Sequence, residues 1–278
     1  MATIGDVWDS TTDVLAGRAR EIVPLAIGAL LVPAIVGAAI RASIAGPAAG
    51  AGAGAIAAIV TLVVAVVGLW GRLAITAVAL DPGTTAADAR SQAARGLLPL
   101  IGVLFVLAAA GIVLLLPLVF VLTAAGLDYA AMRETGQFTL PALTGASMWF
   151  ARLYSVALVV LALWVVARIK LLVTPIVLAE RRVIGAIGRA VALTRGMTWR
   201  LIGVVLLYYV VLWVCVLAVT AVAGLVFRLM LGADARATVG LLATVFGATV
   251  GTAFDTIAQV FAARLYAALT GGTAPAAA

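Results

Sequence analysis

Residues 97–125 read LLPLIGVLFVLAAAGIVLLLPLVFVLTAA, with no charged side chain among them. A helix needs about 20 apolar residues to cross the roughly 30 Å hydrocarbon core of a bilayer, and this stretch exceeds that length. A charge-free apolar run this long predicts a transmembrane helix.

Outward from this run, the rest of the chain follows the same pattern. The 278 residues are 65% hydrophobic with a mean hydropathy of +1.26, an apolar excess too large for the core of a soluble globule. We therefore predict an all-α polytopic membrane protein, one membrane domain over residues 1–278, with about six transmembrane helices plus interfacial amphipathic helices. The predicted spans are 22–44, 54–80, 97–125, 151–178, 199–229 and 237–268.

Three shorter segments alternate apolar and polar residues at helical spacing. Residues 3–20 carry acidic side chains and lack the pattern of a cleaved signal peptide, so we expect the first span to be retained. The segment predicts an amphipathic helix on the membrane surface. Similar helices are predicted at 84–96, where Thr85 and Asp88 form a capping-box pattern, and at 181–196.

The segment LAERRVIGAIGRAVALTRGMTWRLIG, residues 178–203, is unusually rich in arginine. On a helical wheel one face is apolar and the opposite face is cationic, which predicts a helix in the interface with arginines that contact lipid phosphates. The alternative is an ordinary loop with no specific ligand. The predicted phosphate contacts are Arg181, Arg182, Arg189 and Arg195.

The distribution of arginine predicts the orientation of the spans. Nine arginines flank the ends that carry both termini and the 81–96 and 179–198 loops, against five on the opposite side. Because positive residues favour the inner side, we predict that both termini lie in the cytoplasm.

Four ionisable side chains fall inside predicted spans, at similar depths: Arg72, Arg168, Lys170 and Asp255. A charge in hydrocarbon costs at least about 2.5 kcal/mol, so each needs a partner or a role. One interpretation is a structural ion pair of Asp255 with Arg72 or Lys170. Others are a cleft for an anionic headgroup and a proton or ion relay.

Gly247 and Gly251 share a face with Asp255 and form a small-residue seam. We therefore expect that face of the last span to contact protein and not lipid.

The side-chain inventory excludes several chemistries. The chain has no histidine and one cysteine, Cys215, which excludes histidine bases, histidine metal ligands and an intrachain disulfide. We expect no enzyme activity, no cofactor and no metal. The net charge of +7 would suit nucleic acid or anionic lipid, and the hydropathy favours lipid, so no nucleic-acid partner is expected.

A weak internal repeat is present. Residues 72–102 and 168–203 each run from an arginine within a span to an acid at the membrane edge, Asp81 or Glu180, and then through an Ala/Arg stretch into the next span.

Three stretches carry a resemblance to a known family: TPIVLAERRVIGAIGRAVALTRGMTWRLIG (174–203), FAARLYAALTGG (261–272) and TIGDVWDSTTDVLAGR (3–18). The chain resembles the bacterial membrane domain associated with glycerophosphoryl diester phosphodiesterases and its six-span relatives. The soluble catalytic domain of the fused enzymes, which uses histidine and metal-binding acids, has no counterpart here.

The resemblance implies a lipid-associated accessory or binding module of the bacterial inner membrane, without phosphodiesterase activity. The expected partners are anionic lipids and possibly a membrane protein or a second copy of the chain. The alternative is a small-solute transporter or lipid translocator that uses Arg72, Lys170 and Asp255.

Overall fold

The computed structural model describes residues 3–44, 52–81, 83–127, 141, 143–166, 169, 171–180, 183–232 and 235–271. Every regular element in these ranges is helical, and six helices are long and apolar enough to cross a membrane. The predicted all-α, six-span fold is confirmed.

The first span, Ala19–Ile44, consists of two α-helices joined by a π-helical turn at Ile27–Leu31. The helices in chain order are α1 (Ile4–Gly17), α2 (Ala19–Ala26), α3 (Val32–Ile44), α4 (Ala53–Leu80), α5 (Ala86–Ala124), α6 (Gly145–Val165), α7 (Leu171–Glu180), α8 (Val183–Leu193), α9 (Thr198–Leu231) and α10 (Arg236–Leu269).

Helix α1 packs beside the last turns of α10. The Trp8 and Phe261 rings lie 6.5 Å apart, and Arg264 Nε donates to Ser10 Oγ at 2.7 Å. Helix α1 and the last turns of α10 therefore lie at one end of the bundle, here called the termini end; the opposite end is called the loop end. The predicted helix at 3–20 is present but ends at Gly17.

A capping box begins α1. Thr3 N donates to Asp6 Oδ2 at 2.7 Å, and Asp6 N donates to Thr3 Oγ1 at 3.2 Å. These bonds satisfy donors at the helix start that have no partner within the helix. The backbone N–H of Thr3, with a smaller contribution from its hydroxyl, holds the pKa of Asp6 below its ordinary value.

The buried core occupies the half of the bundle near the termini end. In α4 the buried residues are Gly71 and 73–79, and none of residues 53–70 is buried. Helix α5 has no buried residue between 104 and 124. In α10, Gly247 alone is buried between 236 and 255. The helices are thus packed closely near the termini end and have exposed apolar surfaces toward the loop end.

The predicted helix at 84–96 is not separate from the third span. Helix α5 runs from Ala86 to Ala124 without a break, and a single stripe of buried residues crosses the predicted boundary: Ala89, Ala93, Gly96, Leu100 and Val103. These residues recur at helical spacing, and at Gly96 an added Cβ would lie 3.4 Å from Leu178. The helix stays continuous because one protein-facing stripe serves both segments.

The fourth predicted span, 151–178, changes its helical geometry within the described residues. Helix α6 ends at Val165 and α7 begins at Leu171; Val166 and Ile169 have π-helical geometry. Pro175 has no N–H to donate to the carbonyl of residue 171, which weakens the first turn of α7. Arg168 and Lys170 lie outside the described residues.

The predicted helix at 181–196 is present as α8, but the described part of its apolar face packs on protein and not into lipid. Ala186 and Ala190 are fully buried, Ile187 and Val191 pack against the core, and α8 contacts α5 and α7. Gly196, with φ of +89°, lies in the turn before α9. Small alanines let α8 approach its neighbours closely, so its apolar face contacts protein.

Candidate functional site

A polar cluster joins α4 and α10 within the membrane-spanning region. Arg72 Nε donates to Asp255 Oδ2 at 2.8 Å, and the two side chains are 39% and 26% exposed. Of the two ion pairs predicted for Asp255, the one with Arg72 is present. The other guanidinium nitrogens of Arg72 have no partner within the described part of the chain.

The pair is supported one helical turn further along by Thr76 and Gln259, which the sequence analysis did not select. Gln259 Nε2 donates to Asp255 Oδ1 at 3.2 Å, and the Thr76 hydroxyl lies 3.5 Å from Gln259 Oε1. Both carboxylate oxygens of Asp255 are therefore satisfied. Each supporting residue is four positions after its charged neighbour, and this spacing could have identified both.

The cluster lies where the closely packed half of the bundle ends. Toward the termini end, both helices bury their side chains, as at residues 73–79 and 260–263. Toward the loop end they do not. The π-helical residues between α6 and α7 fall at the same transition. Ile169 and residues 172–177 are buried, whereas α6 buries only Ala151.

A surface of exposed arginines lies at the termini end, on α5, the turn after α8 and the start of α9; we call it the arginine face. Arg195 and Arg200 are exposed and flank Trp199, whose surface is 84% exposed. Helix α5, which contacts α8, contributes Arg90 and Arg95, also exposed. None of these four arginines has an ion-pair partner among the described residues.

Two of the four predicted phosphate contacts can be located. Arg195 belongs to the arginine face, whereas Arg189 Nε is 2.9 Å from Glu180 Oε1 in an ion pair with the acid that precedes α8. Arg189 is still 53% exposed, so its interaction with Glu180 is screened and weak. Arg181 and Arg182 lie outside the described residues.

The two glycines of the predicted seam differ. At Gly247 an added Cβ would lie 2.6 Å from Thr220 Cγ2 of α9, whereas at Gly251 nothing lies within 4 Å. The close approach of α9 therefore depends on Gly247 alone.

Arg18, predicted only to mark the orientation of the spans, has a structural role. Its Nη1 donates to the carbonyls of Val78 at 2.6 Å and Asp81 at 2.8 Å, and its Nη2 donates to that of Thr84 at 2.6 Å. Helix ends leave such carbonyls without partners, so Arg18 caps α4 and fixes its link to α5. Arg18 also pairs with Glu21.

The described residues contain no group of three or more His, Cys, Asp or Glu side chains that could hold a metal ion. The chain was also compared with known proteins: no family model, no curated protein and no solved structure matches it.

Proposed function

We propose that this multi-pass membrane protein is a binding module for the phosphate groups of anionic lipids, and that the arginine face contacts them. The observation that carries the proposal is the exposure of Arg195, Trp199 and Arg200 with no acidic partner for either arginine in the described ranges. Arginines attract anionic lipid headgroups, and tryptophan favours the headgroup level of the bilayer.

The charges and contacts of α8 favour the arginine face, and not α8 itself, as the surface that binds anionic lipid. Arg189 is paired with Glu180, and Ile187 and Val191 on the apolar face of α8 pack against the protein core, so the described part of that face is not available to lipid. Arg90 and Arg95 extend the positive surface along α5. Each basic residue near an anionic surface contributes about 1 kcal/mol, so four together favour anionic over zwitterionic lipid.

Native mass spectrometry of the delipidated protein titrated with phosphatidylglycerol or phosphatidylcholine tests the proposal. Arg195→Gln with Arg200→Gln should weaken phosphatidylglycerol binding about tenfold and leave phosphatidylcholine binding nearly unchanged. The charge-matched control is Arg41→Gln with Arg152→Gln, which removes two arginines at the loop end. Equal losses in both variants, or none in either, would refute the proposal.

The resemblance to the membrane domain of glycerophosphoryl diester phosphodiesterases fits a module of this kind and remains part of the proposal. So do the bacterial inner-membrane location, the cytoplasmic termini and the absence of catalysis.

A second candidate function is a lipid translocator or small-solute transporter. It is favoured by the π-helical geometry of Val166 and Ile169 in the fourth span together with the intramembrane Arg72–Asp255 pair, because π-helical turns and intramembrane charges often mark functional sites. The half-exposed guanidinium of Arg72 has donors left for an anionic group.

Access of water to the polar cluster distinguishes the transport function from the lipid-binding function. In a Cys215→Ala background, Gln259→Cys should react with a membrane-impermeant thiol reagent if a path leads to the cluster. Thr249→Cys is the control. Residue 249 is exposed on the same helix toward the loop end, outside the polar cluster, and its reaction reports the access of the reagent to that helix in general. Absence of reaction at residue 259, with unchanged lipid scrambling after Asp255→Asn in proteoliposomes, would rule out the transport function.

A further inference from the structure

The loop end of the α9–α10 helix pair contains a second cationic site, separate from the arginine face. A cleft of about 330 Å³ is lined by Arg228 near the end of α9 and Arg236 at the start of α10. The rest of its lining is small or apolar: Gly224, Gly232, Val239, Gly240 and Ala243. The two arginines come from opposite sides of the helix pair and face the same space.

Neither arginine is neutralised by a described residue. No ion pair involves Arg228 or Arg236 in those ranges, and the first turn of α10 contains no acidic side chain. Residues 228–236 contain one acid, Asp234, against the two arginines, so their sum is −1 + 2 = +1. The segment keeps a positive excess wherever Asp234 lies.

Two cations that share an uncompensated cleft repel each other, and an anion between them removes this cost. Arginine presents several N–H donors in a planar fork that matches the oxygens of a phosphate group. Glycines line both sides of the cleft, so a ligand can approach the two helix backbones closely. The chemistry of the cleft therefore suits a phosphate group.

The surroundings of the cleft indicate a lipid as the source of that phosphate. Leu229 and Met230, next to Arg228, are among the most exposed apolar side chains, at 78% and 74%. Phe227, also next to Arg228, and Phe246 of α10 form a ring contact at 5.7 Å between the same two helices. Apolar side chains that an acyl chain can contact therefore lie beside the charged cleft.

We propose that this cleft binds the phosphate of a phospholipid headgroup in the leaflet at the loop end. The protein then contacts anionic lipid in both leaflets, through the arginine face at one end and through Arg228 and Arg236 at the other. The second site depends on none of the residues of the first.

The test is native mass spectrometry of the full chain titrated with phosphatidylglycerol, dioleoylglycerol and glycerol 3-phosphate. Arg228→Gln with Arg236→Gln should weaken phosphatidylglycerol binding about tenfold or more, since charge-assisted hydrogen bonds are lost. The conservative pair Arg228→Lys with Arg236→Lys should retain much of it. The control, Arg41→Gln with Arg152→Gln, removes two arginines of the same end that do not line the cleft.

Dioleoylglycerol, which has the acyl chains without the phosphate, should bind the wild type and the glutamine variant equally. Glycerol 3-phosphate should bind far more weakly than phosphatidylglycerol. If it binds equally tightly, the cleft takes a soluble phosphate and the lipid proposal is wrong. Loss of binding in the control to the same extent would show that only overall charge matters.

The two double variants, one at each end, and their combination distinguish this proposal from the first. If both sites exist, the effects of Arg195→Gln/Arg200→Gln and Arg228→Gln/Arg236→Gln on lipid binding are additive and concern different bound lipids. A loss confined to the first double variant overturns the cleft and keeps the proposed function. A loss confined to the second double variant keeps the cleft proposal and overturns the proposed function of the arginine face.

Discussion

Arg72 and Asp255, which are 183 residues apart in the chain, form an ion pair between two helices that run side by side in the same direction. Thr76 and Gln259, one turn further, have the same separation of 183. Two contacts with one offset mean that α4 and α10 are in register across this turn. The polar cluster therefore sets the longitudinal position of α4 against α10.

Removing one partner of the pair should destabilise the protein more than removing both. Asp255→Asn leaves the Arg72 charge unpaired within the membrane and should lower the free energy of unfolding by about 1–2 kcal/mol, less than for a fully buried pair because both side chains are half-exposed. Adding Arg72→Gln should recover part of the loss. A double-mutant cycle by thermal or denaturant unfolding in detergent measures the interaction energy between Arg72 and Asp255. Strictly additive losses would show that the two side chains do not stabilise each other.

The seam between α9 and α10 should tolerate a methyl group at one glycine and not at the other. Gly247→Ala would place a Cβ against Thr220, whose hydroxyl donates to the Val216 carbonyl and fixes its rotamer. We expect a loss of about 1–3 kcal/mol from this overpacking. Gly251→Ala has open space and gains helix propensity, so it should be neutral or slightly stabilising. Thermal unfolding of the two variants should give opposite signs or nearly so.

Arg18 should be one of the few arginines whose loss reduces stability. Arg18→Gln removes charge-assisted donors from three carbonyls and should cost about 2 kcal/mol. Arg18→Lys should recover only part, because a single ammonium cannot reproduce the planar fork. Arg20→Gln, an exposed arginine two positions on, should change stability by no more than about 0.5 kcal/mol. Similar losses at both positions would exclude a capping role.

The start of α1 should respond to acid through Asp6. The folded pKa of this carboxyl is lowered, so its contribution is present above the unfolded value of about 3.9 and is lost as the pH falls through the lower folded pKa. Protection of the amide N–H groups of residues 4–8 from hydrogen exchange, measured relative to the intrinsic exchange rate at each pH, should therefore decrease below about pH 4. Asp6→Asn should remove this pH dependence, whereas Asp9→Asn, whose residue has no part in the capping box, should keep it.

The sequence predicted the spans well because their length and apolarity depend on the bilayer and not on neighbouring helices. Helix ends and breaks were harder. The stripe from Ala89 to Val103 is visible in the sequence, but alanine at helical spacing fits both a surface helix and a packed one. Only the contacts with α4 and α7 distinguish them.

Part of the candidate site was also predicted, and the rest again depended on tertiary contacts. A charged side chain inside a span is energetically unfavourable and therefore needs a partner or a role, and this requirement identified Arg72 and Asp255. The contacts of Arg18 and Arg189 within the protein were not predicted, because an arginine near a membrane edge has the same sequence signature whether it contacts lipid, a carbonyl or a carboxylate. Which of these it meets depends on tertiary contacts such as those with Val78 and Glu180.

The unbroken α5 makes the two related halves of the chain mechanically different. Its 39 residues extend about 58 Å, so Arg90 and Arg95 belong to the same helix as the third span. Arg189, by contrast, is separated from the fifth span by the turn at Gly196. We therefore expect a tilt of the third span to displace Arg90 and Arg95 more than a tilt of the fifth span displaces Arg189.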